Sequence, residues 1–478
     1  MKPAGNPFAP RTYGTMEELT PRVGLWRNIV NSTVFVGDNG IAVVDTQVNH
    51  GLARRLVHAL QERYRKPILY AINTHYHWDH TNGNAVFKAA GATLVANRDT
   101  ADFMVSKAPR QKGFLASRGF ELGPDPLQPD VLAEDAGVID LGGLTLHLSR
   151  GHRAESDDPT LVWCPEERVL AAGDTVMTGS FPIFGQPSQR EGLEDDRWLK
   201  ALDEVRGFQA AHVTPGHGPV AHGAELDTLE RICRYFLTEV RRHRDAGRDL
   251  AATIAVMEDE MPAWITRIPE VWGTPRYAIL RVWAGLEDLG QPGWQHLKPT
   301  AIPHRTPTAA AADLAAWRDL VAQAQEGGDT ALALGSAQAA TEALPTDPGA
   351  WTLYAQTLVA ASRGINSVLE KGDAFDAAKK AVAKALEIDA AYGPACLQLG
   401  QFHAMMAFRN GDDPSAAFAW LERAAADVRL TARERAESVF YRGMALRALG
   451  DEAGAKAAFG QALGADPSFM PARLATMG

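Results

Sequence analysis

Ile72-Asn73-Thr74-His75-Tyr76-His77-Trp78-Asp79-His80 places three imidazoles and a carboxylate within six residues, directly after the aliphatic run Ile68-Leu69-Tyr70-Ala71-Ile72. The run has the length and composition of a buried strand, so the histidines stand where the chain leaves a sheet. On a helix His75 and His77 would face different sides. On a loop at a strand end, all four side chains can converge on one cleft. Neutral imidazole combined with carboxylate suits zinc, and equally iron or manganese.

Outward from this stretch, residues 33–211 alternate short aliphatic runs with helical stretches, which predicts layered α/β structure. Thr33–Val36 and Ile41–Val44 flank Gly37-Asp38-Asn39-Gly40, a hairpin turn composition. Further strands are expected at 68–72, 92–96, 144–148, 160–164 and 168–172, and helices at 51–64, 195–206 and 224–246. Four more candidate site residues fall at turns or strand ends: Asp45, His152 after Gly151, Asp174 after Gly173, and His217 after Gly216. Each alone reads as an ordinary turn residue.

Taken in order, Asp45, His75-x-His77-x-Asp79-His80, His152, Asp174 and His217 resemble the five-motif signature of the metallo-β-lactamase superfamily, over about residues 25–220. The resemblance implies an αββα sandwich with two divalent metal ions at one edge, Zn2+ first and Fe or Mn as alternatives. It places His75, His77 and His152 on the first metal and Asp79, His80 and His217 on the second. Asp174 bridges the two, and Asp45 orients ligands from behind. The chemistry implied is attack by a hydroxide held between the metals on a small-molecule ester, lactone, thioester or related bond, with Asp79 orienting the water or relaying a proton.

Several departures narrow this. Superfamily β-lactamases generally lack a bridging aspartate where Asp174 stands. The run Asp174-Thr175-Val176-Met177 lacks the tyrosine of quorum-signal lactonases, and no large insertion separates Asp174 from His217. The segment Gly151-His152-Arg153-Ala154-Glu155-Ser156-Asp157-Asp158 departs from the usual short turn. An apolar loop after the bridge, within 179–192, is a candidate pocket wall. Two other readings remain: an iron-dependent, persulfide-dioxygenase-like oxidoreductase on the same ligands, or a partner-binding scaffold with a reduced site.

The remainder of the chain is expected to pack around or beside this domain. Residues 1–247 form the expected catalytic domain, and 248–298, carrying Trp264, Trp272, Trp283 and Trp294, a helical extension packed on it. Residues 299–325 read as a Pro- and Ala-rich linker. In 326–478, small or apolar residues at relative positions 0, 3, 4, 7 and 8 recur in blocks beginning at Ser336, Ala378, Ala417 and Ala455. This ~40-residue period predicts stacked helix pairs, and the last block is similar to tetratricopeptide repeats. Such arrays imply a protein partner or self-association.

Forty-eight Lys and Arg against 58 Asp and Glu give a net charge of −10, so nucleic acid is not an expected partner. The three cysteines, Cys164, Cys233 and Cys396, are far apart and build neither a disulfide framework nor a CxxC site. No signal peptide or membrane span is readable, so a cytoplasmic location is expected.

Overall fold

The computed structural model of the protein describes residues 8–9, 11–109, 111–112, 125–133, 136–185, 197–286, 304–305, 307, 313–364 and 368–476. The chain divides into two compact units, one of residues 14–117 and 121–298, the other built from 1–13 and 299–478.

The larger unit is a sandwich of two sheets. Its first sheet runs β1 (Thr15–Thr20), β2 (Val23–Arg27), β3 (Ser32–Val36), β4 (Ile41–Val44), β5 (Ile68–Ile72), β6 (Thr93–Asn97) and β7 (Val131–Ala133) in chain order. The pairings from β1 to β4 are antiparallel and those from β4 to β7 parallel. β4 is buried at every position, the pattern of a strand covered on both faces, and its sequence is accordingly the unbroken aliphatic run Ile41-Ala42-Val43-Val44. The second sheet has the order β12 (His212–His217), β11 (Val169–Met177), β10 (Thr160–Cys164), β9 (Thr145–Arg150), β8 (Ala136–Asp140), with only β11 and β12 parallel among these pairs.

Three apolar layers hold the sandwich together. Phe35, Val44 and Ile72 of the first sheet interleave with Leu146, Val162 and Val169 of the second. Helices α1 (His50–Tyr64), α2 (Trp78–Thr81), α3 (Asn84–Ala89) and α4 (Arg98–Ser106) follow strands of the first sheet, and α1 and α3 bury Leu52, Leu56 and Phe87 against its outer face. The second sheet is covered by α5 (Arg197–Gly207) and α6 (Gly223–Asp245), then by α7 (Leu250–Asp259), α8 (Ala263–Thr266) and α9 (Pro275–Leu286), through Trp198, Phe236, Ile279 and Trp283. The expected αββα class is therefore what is observed. The Trp-rich segment does pack on this domain as far as Leu286; Trp294 and the rest of that segment lie outside the described residues.

The smaller unit is helical: α10 (Leu314–Glu326), α11 (Thr330–Ala343), α12 (Pro348–Ala361), α13 (Val368–Ile388), α14 (Gly393–Asn410), α15 (Ser415–Ala425), α16 (Ala432–Leu449), α17 (Glu452–Ala465) and α18 (Met470–Thr476). The four repeat blocks fall on α11, α13, α15 and α17, each preceded by a helix. Two boundaries differ from the sequence reading. Residues 314–325, read as linker, belong to α10, because Asp313 caps Ala316 N and Trp317 and Val321 bury against the following helices. The amino-terminal residues also join this unit rather than the catalytic domain: the Tyr13 hydroxyl donates to Phe408 O at 2.7 Å, and the Phe8 ring lies 5.2 Å from Phe440. No helix among the described residues is long and apolar enough to cross a membrane.

Candidate metal centre

The parallel strands of both sheets point their C-terminal ends to one edge, and the chemistry-bearing residues leave from those ends. Asp45 follows β4, His75 to His80 follow β5, Asp174 lies in the last half of β11, and His217 closes β12. Asp45 and Gln47 both adopt positive φ, at 68° and 81°. That conformation is costly for Gln, and it is held by two hydrogen bonds from Gln47 Nε2, to Val30 O and Ser32 Oγ.

The loop carrying the histidines is fixed by a buried amide network. Asn73 and Thr46 both donate to His80 O, and both also bond Asn84 Oδ1. Asp45 accepts from Thr74 N and Thr74 Oγ1 and meets His80 Nδ1 at 2.8 Å. His217 Nδ1 is occupied by Ile29 O at 2.9 Å. In both rings this leaves Nε2 facing the cleft, the arrangement in which an outer partner orients a ligating imidazole.

Two groups of potential ligand atoms result, each with all its atoms within 4.8 Å of one another: His75, His77, Glu155 and Asp174, and Asp79, His80 and His217. In the first, His75 Nε2 stands 2.8 Å from His77 Nδ1, which is 3.3 Å from Glu155 Oε2, and Asp174 Oδ2 is 3.9 Å from His75 Nε2. In the second, His217 Nε2 lies 3.3 Å from Asp79 Oδ2 and 3.5 Å from Asp174 Oδ2, while His80 Nε2 is 3.5 Å from Asp174 Oδ1. Asp174 thus faces both groups. Its backbone setting demands glycine on the neighbouring strand: a Cβ on Gly216 would sit 1.9 Å from Asp174 Oδ1.

One of the residues read from sequence is not in this assembly. His152 is exposed, and it is its backbone N–H, bonded to Glu204 Oε2, that is held. The reason is the path of the chain after β9, where the turn buries Ala154 and Glu155 and leaves His152 facing solvent. Glu155, fully buried, stands where His152 was expected. The sequence carried a usable signal, a carboxylate three residues after His152 in the stretch already noted as atypical, but only the imidazole had been weighed as a ligand.

Electrostatics agree with a cation site. Burial holds the His75 imidazole neutral, with its pKa down at about 4, and burial together with His75 pushes His77 well below the usual range. Burial opposes ionisation of Asp79, yet His80 and His217 hold its carboxyl at about 2, and the same two imidazoles hold Asp174 low. Asp174, Asp45 and Asp79 in turn raise His80, and Asp174 and Asp79 raise His217, against the effect of burial. His80 Nε2 and Asp174 Oδ1 are buried and make no hydrogen bond. Buried polar atoms left without partners are costly, and here they are lone-pair donors clustered with carboxylates, so the residues fit divalent cations.

One wall of the site comes from the Trp-rich segment. The Trp272 ring, partly exposed, lies 4.6 Å from that of His217 at 46°. It is held there because Gly273 N donates to Phe181 O and Phe181 N donates to Pro269 O. Loop residues 180–185 are buried or nearly so, tied also through Phe184 O to Arg281 and Gly185 O to the Tyr277 hydroxyl. Residues 186–192 of that candidate wall lie outside the described residues.

Comparison with known proteins places this geometry. The family described as "Metallo-beta-lactamase superfamily" matches residues 25–222. A linear primary-alkylsulfatase of Pseudomonas sp. (strain ATCC 19151) is 22% identical over 286 residues, 52% of this chain and 53% of that protein. The chain therefore spans about half the length of that relative. A metallo-beta-lactamase type 2 of Bacillus cereus is 24% identical over 205 residues, 42% of this chain and 72% of that protein. Among solved structures, the stereoselective inverting sec-alkylsulfatase Pisa1 from Pseudomonas sp. is similar in fold with a TM-score of 0.54 at 18% identity, covering 76% of this chain and 66% of that one. Residues 25–222 of this chain are a domain of the metallo-beta-lactamase superfamily.

Proposed function

We propose that the protein is a binuclear metal-dependent hydrolase of small-molecule esters, with alkyl sulfate esters the first class to test and carboxylic esters, lactones and thioesters next. The observation that carries the reading is the pair of buried donor groups sharing Asp174. His75, His77 and Glu155 would hold one ion, Asp79, His80 and His217 the other, with Asp174 between them. Two divalent ions supply Lewis acidity there, lowering the pKa of a coordinated water toward neutrality and drawing off charge from the substrate oxygen.

The protein's own groups do the rest. Asp79 is the only one of the seven whose side chain is appreciably exposed, at 15%, and its carboxylate is ionised at neutral pH. It is the group able to orient water and accept its proton at Oδ2. Trp272, partly exposed beside His217, offers a surface for a hydrocarbon portion of the substrate. Alkyl sulfate esters come first because a linear primary-alkylsulfatase is among the relatives that this chain resembles. The helical unit is read as a surface for a protein partner or for self-association.

The test is hydrolysis of an alkyl sulfate, an aryl ester, a lactone, a thioester and a β-lactam by chelator-stripped protein, with and without Zn2+, Mn2+ or Fe2+. Metal-dependent turnover of one class names the chemistry. Protein that takes up two metals and hydrolyses none of these refutes the hydrolase reading.

A further inference from the structure

Beyond the donor atoms, a single buried carboxylate joins the segments that carry them. Asp158 is fully buried. Its Oδ2 accepts from Tyr76 N at 2.9 Å, between His75 and His77, and from Thr100 Oγ1 at 2.8 Å, in the first turn of α4. Its own backbone O accepts from Asn97 Nδ2 at 2.8 Å, and Asn97 also caps α4 by accepting from Thr100 N. Two residues on, Thr160 N donates to Thr74 O. Tyr76 itself is fully buried against Phe103 and Met104 of α4. The turn bearing Glu155 and the loop bearing His75 and His77 thus meet at Asp158, on a helix that supplies neither with a ligand.

We propose that Asp158 is a positioning residue for the first metal: its Oδ2 fixes the height of the His75–His77 backbone against the turn that presents Glu155. This rests on the metal-centre reading above. The second group, Asp79, His80 and His217, is oriented by different partners, Asp45 and Ile29 O, so Asp158 acts on one ion and not on the other. Its Oδ1 makes no hydrogen bond, and burial lifts the carboxyl pKa to about 7. Acceptor geometry at Oδ2 is what these contacts require of the position, and an amide oxygen can supply it.

The experiment compares Co2+ and Zn2+ binding, by competition with a chromophoric chelator and by the Co2+ absorption spectrum, in the full chain and in Asp158→Ala, Asp158→Asn and Thr100→Val. Melting temperatures are recorded alongside. Asp158→Ala should weaken the first metal by on the order of 10- to 100-fold, as for outer partners of metal ligands, and leave the second unchanged. Asp158→Asn should stay within about threefold of the unaltered chain, and Thr100→Val, which keeps Tyr76 N bonded, should fall between. If Asp158→Ala lowers the melting temperature but both metals bind as before, or both weaken alike, the carboxylate is only a packing element and the inference fails. If Asp158→Ala does not fold, Thr100→Val against Asp158→Asn decides by the same criterion. An unaltered chain that binds no metal overturns the metal centre and the inference together, whereas two bound metals insensitive to these substitutions overturn the inference alone.

Discussion

Glu155→Gln and His152→Ala separate the geometry of the site from its sequence pattern. The three carboxylates Glu155, Asp174 and Asp79 bring −3 to a pair of ions carrying +4, and Glu155→Gln leaves −2 while keeping the side-chain volume. The potential ligand atoms of the first group lie within 4.8 Å of one another, so an ion among them is no more than about 5 Å from the lost charge. At an effective dielectric of ~20, a unit charge against a dication at ~5 Å is worth roughly 7 kcal/mol, or about five orders of magnitude in affinity. Water entering the position and relaxation of the loop recover part of this, and the 10- to 100-fold lost with outer partners sets the floor. The expected result is weakening of the first metal by about 10^2- to 10^4-fold, with the second metal much less affected. His152→Ala, at an exposed side chain outside both groups, should change either affinity by less than about twofold. The assay is stepwise Zn2+ titration against a chromophoric chelator. Equal losses in the two variants, or two tightly bound metals in Glu155→Gln, would refute the assignment of Glu155.

Stability should carry the signature of Asp158. Its pKa rises from 3.8 to about 7 on burial, so between those values the unfolded chain gives up the proton that the folded chain keeps, and stability falls as pH rises. Asp158→Asn removes this dependence, and urea unfolding at pH 4 and pH 8 should show its relative gain at pH 8, on the order of 4 kcal/mol at most; a pH-independent difference would contradict the buried charge. Metal binding at His217 should perturb the fluorescence of Trp272, whose ring lies 4.6 Å away, and Trp272→Phe should remove most of the change; an undiminished signal would place the responding tryptophan elsewhere. Tyr13→Phe deletes the hydroxyl bonded to Phe408 O and should destabilise the helical unit by ~1 kcal/mol, read as faster amide exchange in residues 393–410 with metal binding unchanged.

Local composition determined the elements that strands and helices build from their own residues. β4, β5 and β10 stand where the aliphatic runs predicted them, α1, α5 and α6 agree within two residues, and the four repeat blocks fall on helices of the carboxy-terminal unit. β1, β2, β7, β8 and β12 escaped notice, since Thr15–Thr20 and Ala136–Asp140 are half-exposed and mixed in polarity, and His212–His217 ends in Pro-Gly-His, which reads locally as a turn. The same division runs through the site. His75, His77, Asp79 and His80 were legible because they crowd one strand end, and Asp174 and His217 because each follows a glycine and takes its place in order after them. Asp45 meets His80 Nδ1, and Asp174 faces both groups of potential ligand atoms. Glu155 and Asp158 were not legible, because only the turn after β9 decides which side chain enters the cleft and which carboxylate meets Tyr76 and α4. The association of Phe8 and Tyr13 with helices some four hundred residues away was equally invisible. A sequence records the period and chemistry of neighbours along the chain, whereas these assignments depend on contacts between segments whose separation carries no local pattern, and only burial of the shared core brings them together.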